Sequence, residues 1–338
     1  MNSLIFTLNQ VILLVLHNKS ILHLLGHSLR ESSNFVGSGV SRDVYAAYLN
    51  KLEKAAEWFN KLGISISSSR IDKYLKTLKK LCYAWDNQEI ETYSSSTSAE
   101  EFFTTIAEAI ELIGIHEGLT KLHDPRLYSK LKMFKSGHFL PADDPLGGTG
   151  GKGRDIAFEL NICSRLAASG CEIDISGDAD VSFEDSGTVY FLECKRPYSA
   201  SSLRGAFKKA RRQLLKRFEA VPVGKQVYGM IAISLSRILG EKLLIAPDFA
   251  TMNSLLSDLM SSAIDTYKKD FLYKPVKRIV GVLTHFVVPG LIRGEALPLS
   301  IQQTGYYSLS QKGSKSYENL IKLFMNLERE DWTGRVKF

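Results

Sequence analysis

Paired cysteine is the first thing this chain lacks. Its four cysteines, Cys82, Cys163, Cys171 and Cys194, include no C-x-x-C pair and no Cys/His grouping at zinc-finger spacing. That excludes a zinc ribbon or finger and a dithiol redox motif, and the expectation is reduced thiols in a cytoplasmic protein. Long hydrophobic runs are also missing. A membrane helix needs about 20 consecutive apolar residues. The apolar start, LIFTLNQVILLVL over 4–16, is shorter and is interrupted by Asn9 and Gln10. It reads as a buried N-terminal helix, and no basic leader or small-residue cleavage site marks a secretory signal. No membrane partner is expected. Familiar nucleophile and metal motifs are absent too. There is no Gly-x-Ser-x-Gly elbow, and His23 and His27 have helical i, i+4 spacing without the glutamate of a zinc protease.

The Gly/Pro-rich stretch PADDPLGGTGGKG, residues 141–153, looks like a phosphate-binding loop but lacks its essentials. Leu146 stands where the leading glycine belongs, and Gly153 follows Lys152 where a Ser or Thr is needed. The stretch reads instead as a linker or loop. Around it, 338 residues at 44% hydrophobic and 23% charged content can bury a sizeable core, as one large domain or two of ordinary size. The formal net charge of +7 is compatible with a polyanionic partner.

Residues 1–140 read as a mostly helical region for substrate or partner recognition. In SRDVYAAYLNKLEKAAEWFNKLG, the residues Val44, Tyr48, Leu52, Ala55, Phe59 and Leu62 recur at helical steps until Gly63 stops them. RIDKYLKTLKKLCYAW gives a second stripe, from Ile71 to Trp85. TYSSSTSA reads as a loop, and Ser98 with Glu101 forms a capping-box pattern ahead of FFTTIAEAIELIGI. After the linker, residues 154–338 change texture. A helix, DIAFELNICSRLAAS, precedes short strands at EIDIS, ADVSFE and TVYFLEC, then a basic helix over 203–218 and an apolar strand, QVYGMIAIS. A helix near MNSLLSDLMSSAIDTYKKDF, a strand at RIVGVLTHFVVP and a helical tail at SKSYENLIKLFMNLERE complete the pattern. This order predicts an α/β domain with a mixed β-sheet flanked by helices.

Chemistry concentrates in FLECKRP, residues 191–197. Strand alternation puts Tyr190, Leu192 and Cys194 on one face, and Val189, Phe191, Glu193 and Lys195 on the other. An acid and a base thus close an otherwise apolar face, at the carboxyl end of a strand. The turn EDSG joins this strand to ADVSFE as a hairpin, which brings Asp180 within reach of Glu193. Glu159 lies beside the apolar stripe of the preceding helix, where a carboxylate is costly unless it is paired or metal-bound. Carboxylates at close range repel, so a divalent cation is their natural neutraliser, and oxygen ligands with open positions favour Mg2+ or Mn2+. Beside such an ion, Lys195 would offset charge in a transition state.

GRDIAFEL followed by GDADVSFEDSGTVYFLECKRP resembles the core of the PD-(D/E)XK nuclease superfamily, with its restriction-endonuclease-like fold. The resemblance implies Glu159 as the helical acid, Asp180 as the strand-opening acid, and Glu193 with Lys195 as the closing Glu-x-Lys. It implies Asp180 and Glu193 as metal ligands, joined by the Cys194 backbone carbonyl and Glu159, with Asp178 the alternative to Asp180. In some members the next helix carries Gln-x-x-x-Tyr; here Gln213 fits and Arg217 stands in the last place. A restriction or antiviral defence setting follows by analogy alone.

The basic helix carries Arg204, Lys208, Lys209, Arg211, Arg212, Lys216 and Arg217 with no acid among them. With Arg196 and Gln213, these residues other than Arg217 are the expected contacts for a nucleic-acid backbone, which phosphate neutralisation would favour. The expected function is therefore Mg2+-dependent phosphodiester hydrolysis, in DNA before RNA. The alternative is a non-catalytic module of the same fold that binds nucleic acid or a partner. The N-terminal helices are the expected surface for a homodimer or partner protein.

Overall fold

The computed structural model describes residues 6–7, 40–144, 151–175, 177, 179–185, 187–221, 224–239, 242–272, 276–292, 297–310, 314–315 and 317–318. His23, His27, Asp178, the residues from 145 to 150 and the tail beyond 318 lie outside them, as does most of the apolar start. Within that start, Phe6–Thr7 (β1) is a short strand rather than the expected helix, because it pairs antiparallel with Leu243 and Lys242.

Among the described residues, five helices build the N-terminal region: Val40–Lys61 (α1), Arg70–Asp86 (α2), Ile90–Ser96 (α3), Ala99–Leu119 (α4) and Pro125–Phe134 (α5). Their ends follow local chemistry. Gly63, at φ 70°, closes α1 with a Schellman pattern in which Ile64 N–H reaches Phe59 O and Gly63 N–H reaches Asn60 O. Ser69 caps α2, Ser98 and Glu101 make the expected capping box of α4, and Asp124 with Pro125 starts α5. The serine-rich loop is a correction: residues 92–96 belong to α3. Serine favours loops and caps, but Tyr93, 8% exposed, packs into the helical core and overrides that preference.

Lys152–Ala168 (α6) begins inside the expected linker, so the loop reading is corrected at Lys152 and Gly153. The glycine there is a packing device. A Cβ at Gly153 would sit 2.1 Å from the Ser136 carbonyl oxygen, so only glycine lets α6 approach that chain.

Glu172–Asp174 (β2), Val181–Asp185 (β3) and Thr188–Lys195 (β4) form an antiparallel run. Ala200–Glu219 (α7) then crosses over to Val227–Ser234 (β5), which lies parallel to β4. The short helix Ser236–Leu239 (α8), the strand Lys242–Ala246 (β6) and Phe249–Phe271 (α9) lead to Ile279–Ile292 (β7). β7 is parallel to β5 through its first half and to β6 at its end, while Leu297–Ser308 (β8) pairs antiparallel along it from Gly281. The result is a mixed sheet flanked by helices, preceded by a helical region, as the sequence pattern predicts.

Alternation along the strands divides the core into two layers. Tyr190, Leu192, Cys194, Met230 and Ala232 face α1, α2 and α4 to α6, while Ile231, Ile233 and Val282 face α7 and α9. The N-terminal helices and the hairpin therefore share one continuous hydrophobic layer. Beneath it runs a buried ionic chain. Arg70 meets Glu108 at 2.6 Å, Arg154 meets Glu108 at 2.7 Å, and Arg154 meets Asp144 at 2.6 Å. Among the described residues, no helix is long and apolar enough to cross a membrane. None of the four cysteines forms a disulfide.

Candidate active site

The register of the β3–β4 hairpin sets the site. Val181 pairs with Leu192, so the next position outward sets Asp180 across from Glu193. Asp180 accepts a hydrogen bond from the Cys194 backbone N–H at 2.7 Å, which pins its carboxylate at the end of β4. Lys195 then reaches back over the same point. Its Nζ donates to Asp180 Oδ2 at 3.1 Å, to Glu193 Oε2 at 3.1 Å and to the Cys194 carbonyl at 2.8 Å. Three oxygens from three residues converge on one cationic nitrogen.

Glu159 approaches from α6, one helix away. Its carboxylate accepts from Lys130 Nζ at 2.5 Å, and the same ammonium donates to the Asp180 carbonyl at 3.2 Å. Among the described residues, the three acids do not close on one another as a metal-ready cluster. Lys130 holds Glu159, and Lys195 occupies the space between Asp180 and Glu193.

The electrostatics record the cost of burying these acids. Burial pushes the Glu193 carboxyl up to about 7, with Asp180 adding to the shift and Lys195 opposing it. Burial likewise raises Glu159 to about 7, again with Asp180 adding and Lys130 opposing. Burial alone would lower Lys195, but Asp180 and then Glu193 outweigh it and hold the ammonium above the ordinary lysine value. Glu193 is fully buried, and its Oε1 has no hydrogen-bond partner among the described residues, although Arg217 Nε stands 3.6 Å away. An acceptor left open in this way, beside other oxygens of the same hardness, fits a divalent cation.

A cavity of about 480 Å3 is bordered by Glu159, Asp180, Cys194, Lys195 and Arg196, while the buried Glu193 lies behind this lining. α7 contributes Ser202, Ala206, Lys209 and Gln213, which recur at helical spacing along one stripe. Gln213 Oε1 is buried without a hydrogen-bond partner among the described residues. Of the expected backbone contacts, Arg196, Lys209 and Gln213 thus line the cavity. Lys208, Arg211, Arg212 and Lys216 do not; all but the half-buried Arg211 are exposed on the rest of α7. Arg204 is turned toward α9, where its Nε meets Asp270 at 2.6 Å. Arg196 is half-buried and bonded to Asp155 at 3.2 Å, so it is part of the cavity wall rather than an open surface cation.

Sequence spacing did not single out Lys130 or Asp155, and it gave Arg217 no part in the Glu193 site. Asp124 with Pro125 announces α5, but nothing in the spacing aims Lys130 at an acid 29 residues further on. Comparison with protein-family models, with curated proteins and with solved structures returns no match.

Proposed function

We propose that the chain is a metal-dependent nuclease of the PD-(D/E)XK type, hydrolysing phosphodiester bonds in DNA before RNA. One observation carries the reading: Asp180 Oδ2, Glu193 Oε2 and the Cys194 carbonyl all point at Lys195 Nζ from 3.1 Å or less. That is a cation-binding arrangement with an ammonium standing in for the ion. The helix–three strands–helix–parallel strand order from α6 to β5 supports the restriction-endonuclease-like assignment.

Asp180, Glu193 and the Cys194 carbonyl would hold a Mg2+ or Mn2+ ion, with Glu159 beyond them. When bound, such an ion polarises a phosphodiester and makes a nearby water more acidic. The chain's own groups do the rest. Lys195, released toward the cavity, sets positive charge where a pentavalent phosphorane gains negative charge. The open Gln213 carbonyl can accept a hydrogen bond from the attacking water. Lys209 and Arg196 offer charged donors to the phosphates on either side. The exposed Lys208, Arg212 and Lys216 extend a non-specific track along α7.

A second reading, a module that binds nucleic acid without cutting, has one observation in its favour: both lysines already neutralise the acids. The test is incubation of purified protein with plasmid, linear duplex and RNA under Mg2+, Mn2+ or EDTA. The nuclease reading expects cutting with metal, none with EDTA, and none from Glu193→Ala or Lys195→Ala. Salt-sensitive binding without cutting under any metal selects the second reading.

A further inference from the structure

A second cavity, of about 490 Å3, lies on the other side of a wall made by Phe158, Arg196 and Tyr198, which border both spaces. Its polar lining comes from consecutive pieces of the sheet end: Ser234 closes β5, Ser236 and Arg237 form α8, and His285 lies in β7. Two of these residues hold a buried polar atom with no hydrogen-bond partner among the described residues, Arg237 Nη1 and His285 Nε2. His285 is 2% exposed, and its other ring nitrogen lies 3.2 Å from Thr304 Oγ1. A buried polar atom left open is costly, so such atoms beside a cavity point to something that fills it.

The charges indicate what kind of ligand. The Arg237 guanidinium lies 4.6 Å over the Tyr198 ring, which fixes its plane. Its Nη2 stands 3.6 Å from Asp144 Oδ2, an oxygen that Arg154 already binds at 2.6 Å. Glu108 is likewise held, by Arg70 and Arg154. The cationic character of Arg237 is therefore only loosely answered among the described residues. Two further acids border the space, Glu100 and Glu111. Burial and the neighbouring Glu108 push the Glu111 carboxyl up to about 7, so near neutral pH it can donate a proton to an anion's oxygen. A planar guanidinium among hydroxyls matches phosphate geometry, and the volume is within the range of small-ligand sites.

We infer that this cavity binds a phosphate monoester, with Arg237 and Arg196 as cationic ligands and the hydroxyls of Ser236 and Tyr198 as neutral donors, the Ser234 hydroxyl being donated to Ser236. Resting on the nuclease reading, the monoester is the terminal phosphate of a strand, one wall away from the carboxylates. A free mononucleotide offers the same chemistry.

The test is fluorescence polarisation in EDTA, with an internally labelled oligonucleotide carrying a 5′-phosphate, a 3′-phosphate or hydroxyl ends. One phosphorylated end is expected to bind at least about tenfold more tightly than the hydroxyl ends, as an added charged hydrogen bond would produce. Arg237→Gln should erase that preference while leaving the hydroxyl-ended affinity unchanged. Tyr198→Phe, which keeps the ring under Arg237, should reduce it severalfold and decides the matter if Arg237→Gln fails to fold. Calorimetry with adenosine 5′-monophosphate separates the sources: equal strand ends with nucleotide binding that Arg237→Gln abolishes assigns the site to free nucleotide. Equal ends and no nucleotide binding by the wild type overturn the inference. Because no metal is present, a protein that cuts without an end preference loses this inference alone. A protein with the preference that never cuts loses the nuclease reading alone.

Discussion

Lys130 and Lys195 solve one electrostatic problem between them. Glu159 and Glu193 are buried near Asp180, and each would be costly to ionise without a neighbouring ammonium. Lys130 and Glu159 are both about seven-eighths covered, at 15% and 14% side-chain exposure, so their pairing matters more than a surface ion pair would. Lys130→Met should destabilise the protein by about 2 kcal/mol in urea denaturation, because it leaves a largely buried acid unpaired. Adding Glu159→Gln should recover most of that loss; a double variant as weak as the sum of the singles would show that the two groups act independently. Glu111 allows a sign test of the same physics. Its carboxyl holds its proton in the folded chain up to about 7, but releases it near the ordinary glutamate value when unfolded. Between those values the folded state binds more protons, so this residue makes stability fall as pH rises from about 4.5 to about 7. Glu111→Gln should flatten that slope, raising stability at pH 8 by on the order of 2 kcal/mol over its effect at pH 4. An unchanged slope would contradict the burial argument.

At the scale of elements, close approach rather than propensity locates the site helix. Gly118 of α4 lies against Ser164 of α6, where a Cβ would meet the Ser164 carbonyl oxygen at 2.6 Å. Gly118→Ala should cost about 2 kcal/mol through overpacking and lower the melting temperature without altering far-UV helicity. Wild-type stability in that variant would mean the helices separate freely. Much of this layer was legible beforehand. The capping box at Ser98 and Glu101, the stop at Gly63 and the stripe of α2 are written in local residues. Other parts were not. Gly153 reads as a flexible glycine until Ser136, far along the chain, appears beside it. Strand β8 contains Pro298, Gln302 and Gln303 and lacks an apolar rhythm. Its polar side chains serve long-range partners: Arg165 donates to Gln302 at 2.6 Å and to Thr304 at 2.8 Å.

At the scale of the whole molecule, the sheet brings together residues that only a register can relate. Alternation along β4 was enough to set Glu193 and Lys195 on one face, and a hairpin length was enough to bring Asp180 opposite. Neither could show that α5, from the region read as separate, would supply Lys130, since that depends on the hydrophobic layer shared by the N-terminal helices and the hairpin. Nor could the net charge of +7 show how the cations of α7 divide, with Lys209 over the cavity and Arg204 bound to Asp270. The central claim is that three oxygens beneath Lys195 form a divalent-ion site, and calorimetric titration of Mn2+ into the purified chain tests it most directly. One bound ion is predicted for the wild type and for Lys195→Ala, with binding lost in Glu193→Gln. No heat of binding in the wild type, or the same binding in Glu193→Gln, would contradict it.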